Sequence, residues 1–305
     1  MLERWFGEAR ERFVTDFYLR EPFALPGTGQ ELVHLATWEI LPRILAQVPE
    51  PDVLVVRNGR YFPEIQPHSS DQIQSLFAAG FSIVIRNAER HDPGLLDLCN
   101  AFAQELRTRV AVQLYATPAG SHGFGWHYDA EEVFVLQTSG CKEYFLRRNT
   151  VHPSPVWDAM PKDMQYGRET SSFRASTLVT GDVLYIPAGM WHMARAVEPA
   201  LSISVGVFAR TGIDVVNAAR SALLLDPLWR QRIPFDGAAR LEHLRKLRED
   251  LIARLHDLDR VVELLAGAEQ DDLLAQGNGE AEPARAESGE SEATRVTDGG
   301  ASGWR

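Results

Sequence analysis

Residues 113–145 read QLYATPAGSHGFGWHYDAEEVFVLQTSGCKEYF, and this stretch has the pattern of short strands rather than helices. Apolar runs alternate with turns rich in Gly, Pro, Ser and Asp. The same pattern extends both ways, over residues 109–208. Within it, residues 110–116, 132–137, 143–146, 177–179, 183–186 and 201–208 each suit a strand. Many short strands with such turns predict a sandwich or a jelly-roll barrel. The 29 residues 147–175, with Pro153, Pro155, Trp157, Pro161 and Tyr166, show no period. Their aromatics predict an ordered loop over the barrel mouth.

Outward from this core the period changes. Leu2, Trp5, Phe6, Ala9 and Phe13 fall at helical spacing, and a second helical pattern covers residues 31–44. Val53-Leu54-Val55-Val56 runs as a strand into an Asn58-Gly59 hairpin turn. A helix over 71–79, an apolar run over 81–85 and a helix over 95–106 follow. Downstream, Leu244, Leu247, Leu251, Leu255, Leu258, Val262 and Leu265 form a heptad-like seam. Such a seam either packs on its own barrel or makes a homodimer interface. The stretch 277–305 is almost without aliphatics and predicts a disordered acidic tail. The expected parts are therefore residues 1–108 (helices and barrel-flanking strands), 109–210 (the core), 211–276 (helical) and 277–305 (tail).

Composition bounds the function. The 305 residues are 45% hydrophobic and carry a net charge of −11, which fits a globular protein and disfavours direct nucleic-acid binding. No run has the length and apolarity of a membrane span, and the N-terminus shows no secretory pattern. Two cysteines, Cys99 and Cys141, suit a reducing compartment, so a cytoplasmic location is expected.

The chemistry centres on His127-Tyr128-Asp129. Residues i and i+2 on an extended segment point the same way, so imidazole and carboxylate can share a metal. Such a pair arises by chance about once in a chain of this composition. A second signal lies in GDVLYIPAGMWH, residues 181–192, where an apolar strand ends at a Pro-Ala-Gly turn that presents His192. Two histidines and one carboxylate suit the facial triad of non-haem Fe(II) oxygenases, which leaves coordination positions open.

The stretch 113–145 and the segment 181–192 together resemble the cupin-like JmjC oxygenases, especially their ribosomal-protein hydroxylase branch. RFVTDFYLREPFALPG, residues 12–27, is similar to that family's opening segment. The resemblance implies an α+β protein with a JmjC/cupin double-stranded β-helix, N-terminal helices and a C-terminal helical segment. It implies Fe(II) on His127, Asp129 and His192, with 2-oxoglutarate as co-substrate and O₂ as oxidant. Lys142 falls on the position that grips the distal carboxylate of 2-oxoglutarate, and Tyr115 on a tyrosine that helps hold it. Gln113 stands where the family often has Asn. Ser204 ends a Ser202-Ile203-Ser204 run that stands where the ribosomal branch often reads Ser-Leu-His, and both are candidate co-substrate contacts. Tyr144 replaces a usual Trp. The implied activity is hydroxylation of a C–H bond in a protein or peptide. A small-molecule hydroxylase and a non-catalytic metal-binding cupin are the alternatives. Trp157, Tyr166, Arg168 and Arg174 are expected at the substrate.

Overall fold

The computed structural model describes residues 2–48, 51–256 and 258–277. They divide into two compact units, one containing the described residues up to Cys99 and Ala111–Val207, the other Asn100–Val110 and the described residues from Phe208 to Gly277.

The first unit is the double-stranded β-helix. Its strands are β1 (Phe23–Leu25), β2 (Val53–Arg57), β3 (Arg60–Tyr61), β4 (Ser82–Ile85), β5 (Val110–Thr117), β6 (Glu132–Ser139), β7 (Lys142–Arg147), β8 (Phe173–Leu178), β9 (Val183–Ile186), β10 (Trp191–Ala196) and β11 (Ala200–Val207). Eight of them form one sheet in the order β1-β9-β6-β11-β5-β4-β2-β3, and three form a second, β10-β7-β8. Val133, Val135, Leu184 and Ile186 of the large sheet pack with Tyr144, Leu146 and Leu178 of the small one. This core follows from period-two alternation, which sends every second side chain inward. β7 shows it cleanly, with Lys142, Tyr144 and Leu146 buried and the residues between them half-buried.

The other face of the large sheet is covered by the N-terminal segment. Trp5, Phe6 and Phe13 all pack on Phe134 of β6, and Phe13 lies edge-on to Tyr185 of β9. That segment is more broken than its helical spacing predicts. Helix α1 (Leu2–Phe6) ends where Gly7 takes a positive φ of 46°. A short α2 (Arg10–Arg12) and a π-turn over Phe13–Phe17 follow. The pattern predicted over 31–44 also splits, into a 3₁₀ stretch Gln30–Leu35 and α3 (Ile40–Gln47). Pro42 accounts for the second start, because proline is tolerated only within a helix's first turn. The hairpin turn is as expected, with Asn58 and Gly59 at φ 52° and 75°. Helix α4 (Ser70–Ala78) is capped by Ser69, which accepts from the Gln72 amide, and α5 (Pro93–Leu106) follows.

The second unit is helical past Phe208. Helix α6 (Gly212–Leu225) opens with a Thr211–Asp214 capping box. Asp226 caps α7 (Pro227–Arg230), and α8 (Gly237–His256) and α9 (Leu258–Gly277) complete the described chain. Asp250 of α8 accepts from the Trp229 indole and from Arg254, and Arg254 also pairs with Asp226, which ties α7 to α8. Of the leucine seam, Leu244, Leu247, Leu251 and Leu255 lie on α8 and Leu258, Val262 and Leu265 on α9, and α9 packs on α6. The predicted tail lies outside the described residues beyond Gly277. Among the described residues no helix is long and apolar enough to cross a membrane.

Candidate active site

Three ligand atoms, one each from His127, Asp129 and His192, lie within 4.8 Å of one another. His127 and Asp129 come from the segment between β5 and β6, and His192 from β10. Paired backbone hydrogen bonds of 3.1 and 2.8 Å lock His127 against His192. The Gly189 amide donates 2.7 Å to the Asp129 carbonyl, so the Pro-Ala-Gly turn holds the aspartate as well as presenting the histidine.

The tautomers decide what this cluster can hold. His127 Nδ1 donates to the Gly125 carbonyl at 2.8 Å, and His192 Nδ1 to the Met190 carbonyl at 3.0 Å. Each Nε2 is thereby left with a lone pair, as metal ligation requires. His192 Nε2 faces Asp129 Oδ2 at 3.3 Å. Burial, then the neighbouring His127, pushes the His192 pKa well below the ordinary value, so this is not an ion pair at neutral pH. Two acceptors confronting each other call for a cation between them, and the donor set suits a divalent transition metal with open positions.

Further inside the barrel, Lys142 is 3% exposed. Its ammonium donates to Ser202 Oγ at 3.0 Å and lies 5.7 Å from the centre of the Tyr115 ring. Among the described residues no carboxylate is paired with it. Burial alone pulls its pKa down to about 7. A buried cation without a counter-charge is costly, and an anionic ligand carboxylate would supply one. Gly140 sets this inward register. It turns β6 into β7 at φ 74°, and a Cβ there would lie 2.0 Å from the Pro199 carbonyl oxygen.

Tyr115 and Gln113 share a face of β5, and the Tyr115 hydroxyl donates to Gln113 Oε1 at 3.0 Å. Burial, then Asp129, raises the Tyr115 pKa, so the phenol stays protonated. Ser204 lies on the same face of β11 as Ser202, two residues on. The residue that reaches Lys142 is Ser202, which also hydrogen-bonds Tyr144. Sequence reading took Ser204 from the resemblance and passed over Ser202; which serine of the run reaches Lys142 is decided by contact across the barrel. His122 forms a bridge with Arg195 rather than lying in a free loop. Trp191 is fully buried, as a packing residue should be. In the segment between β7 and β8, Arg168 pairs with Asp163 and Tyr166 stacks on Trp126, while Arg174, in β8, pairs with Glu21.

A family model described as a JmjC domain matches residues 85–215. That part of the chain is similar to JmjC domains. Among relatives, the bifunctional lysine-specific demethylase and histidyl-hydroxylase NO66 of Dictyostelium discoideum is 28% identical over 49% of this chain and 28% of its own length. Ribosomal oxygenase 2 of Bos taurus is 40% identical over 29% of this chain and 18% of its own. The match thus spans under a third of these relatives' lengths. Among solved structures, the Escherichia coli ribosomal oxygenase YcfD in complex with cobalt and 2-oxoglutarate aligns at TM-score 0.55 and 17% identity. That alignment covers 84% of this chain and 70% of YcfD. The likeness shows the fold, and the expected double-stranded β-helix is the one observed. The matched region runs from β4 into α6 and contains His127, Asp129, His192, Lys142, Tyr115, Gln113, Ser202 and Ser204.

Proposed function

We propose that this chain is an Fe(II)- and 2-oxoglutarate-dependent dioxygenase that hydroxylates a C–H bond of a protein or peptide. The observation that carries the reading is a site with two unmatched ends. At one, the Nε2 atoms of His127 and His192 and the Asp129 carboxylate converge, three electron-pair donors that a divalent cation would match. At the other, Lys142 is buried against the Ser202 hydroxyl and, among the described residues, faces no carboxylate. A dicarboxylate that reached from metal to lysine would satisfy both. Bound Fe(II) with 2-oxoglutarate and O₂ would supply the oxidation, converting 2-oxoglutarate to succinate and CO₂ as one oxygen atom enters the substrate.

The chain's own groups bind and orient. Lys142 and Ser202 fix the distal carboxylate, with Tyr115, Gln113 and Ser204 around it. The carbonyls of Gly125 and Met190 keep both histidines in the ligating tautomer. The apolar core around Tyr144 and Leu146 excludes water from that end of the site.

A protein substrate is supported by the names of the relatives, a histidyl-hydroxylase and a ribosomal oxygenase. The cytoplasm is supported by the low cysteine content, Cys99 and Cys141 alone, which suits a reducing compartment. A second copy of the chain is proposed as partner through the C-terminal helices, where Leu241, Ile252 and Val262 are each more than half exposed. The deciding experiment incubates the protein with Fe(II), 2-oxoglutarate and a ribosomal-protein mixture. The expected result is metal-dependent succinate with one oxygen atom added to a defined protein residue. Succinate formation without a modified protein would overturn the substrate class, and no metal-dependent turnover at all would overturn the enzyme reading.

A further inference from the structure

Each candidate histidine ligand follows a tryptophan: Trp126 precedes His127 and Trp191 precedes His192. One side chain from the segment between β7 and β8 touches both. Tyr166 stacks on Trp126, with ring centres 4.4 Å apart and planes 4° from parallel. It also meets Trp191 at 5.5 Å and 70°, an edge-on contact. Its hydroxyl accepts from Arg147 Nη1 at 2.8 Å, and the Arg147 guanidinium lies 5.2 Å from the ring centre. Trp191 is itself held edge-on against Tyr128 at 4.7 Å. Tyr166 is thus engaged by face, edge and hydroxyl. This is the environment of a structural wedge rather than of a ring waiting for substrate.

The wedge is needed where it sits. Trp126 belongs to a segment bridged to β10 only at His122 and His127, so no ladder of backbone hydrogen bonds holds its middle. Metal ligands keep productive geometry only when the residues around them are locked by packing. The segment that delivers Tyr166 is fixed nearby, because the Glu169 carboxylate accepts from the Thr150 hydroxyl and from the amides of Thr150, Thr170 and Ser171.

We propose that Tyr166 is a positioning residue for the metal centre: by wedging Trp126 against Trp191 it sets the spacing of His127 and His192. The inference rests on the metal-site reading above. It also makes the β7–β8 segment the route by which a substrate docking there would bear on the ligands.

The test is a Co(II) titration of the full chain, followed by visible absorption and by calorimetry. Wild type should bind one Co(II). Tyr166→Ala should bind it about tenfold more weakly, in the range seen when residues supporting metal ligands are removed, and with an altered d–d band. Tyr166→Phe, which keeps the stack and loses only the hydroxyl, should restore both affinity and band. Should Tyr166→Ala fail to fold, Tyr166→Leu, which fills space without stacking, decides in its place. Wild-type affinity and band shape in the alanine or leucine variant would overturn the inference and leave the metal site standing, as would a phenylalanine variant no better than alanine. A wild-type chain that binds no Co(II) would overturn both.

Discussion

The β-helix and the C-terminal helices are built on opposite terms. In the barrel, both faces of β6 are covered, and even a lysine is sealed inside. Past Val207, Ala219 is the only apolar residue in the described chain that is buried, while Phe235 is 98% and Leu225 81% exposed. A soluble monomer scatters single apolar residues over its surface but rarely leaves many together. The barrel therefore covers its own apolar side chains, whereas the helices carry surface that a partner would cover. Substitutions inside the barrel should alter chemistry and leave association alone, and substitutions in the seam should do the reverse.

The largest expected effect is at the metal. His192→Ala removes one of three ligands and the acceptor confronting Asp129, so iron-dependent turnover should fall to background with the fold retained. Circular dichroism and metal titration together check it. Unaltered metal binding would show that His192 is not a ligand. On the other side of the comparison, Leu251→Glu with Leu255→Glu places two charges in the α8 seam. Light scattering of wild type should give about twice the 34.1 kDa chain mass, and the double variant should give a single chain with Co(II) affinity intact. A wild type that is already monomeric at tens of micromolar would remove the helices' need for a partner.

A smaller effect is expected deep in the barrel. Lys142→Met keeps the volume and deletes the charge, so the KM for 2-oxoglutarate should rise at least tenfold, in line with the roughly 2–5 kcal/mol lost when one member of a buried charge pair is truncated. Metal affinity should stay unchanged. An unchanged KM would mean that another group holds the distal carboxylate.

The same contrast governs what the sequence discloses. Period-two alternation and fixed turn residues made β5, β6, β7, β9 and β11 legible, and the two histidine motifs were legible because one is a His-x-Asp in the glycine-rich stretch between β5 and β6 and the other follows a glycine turn at the start of β10. Strand β10 was not, because Trp-His-Met-Ala-Arg-Ala has no β-branched residue and is a strand only through pairing with β7. Nor was β1, three residues joined to β9. Ser202 and the Trp126–Tyr166 stack depend on pairs 60 and 40 residues apart in sequence, which no local pattern reports. In each case the deciding contact was long-range, and the residue types alone left it open.

The smallest expected effect concerns stability and pH, and it turns on the same lysine. Burial lowers the Lys142 pKa from 10.5 to about 7 in the folded chain, while the unfolded chain keeps the ordinary value. Between these values the unfolded state holds a proton that the folded state lacks, so this group's contribution to stability rises with pH across that window. Below about pH 7 both states are protonated and the folded protein carries the full cost of a buried charge. Lys142→Met removes that cost. Its Tm should therefore exceed wild type by a few degrees at pH 6, and the gap should close towards pH 10, with all other titrating groups cancelling in the difference. Adding 2-oxoglutarate with Co(II) should raise the wild-type Tm and not that of the variant, because the distal carboxylate stabilises the ammonium it faces. Calorimetry at pH 6 and pH 9 checks both. A Tm gap independent of pH would show that Lys142 keeps its charge when folded, and the barrel interior would then be more accommodating of charge than its packing implies.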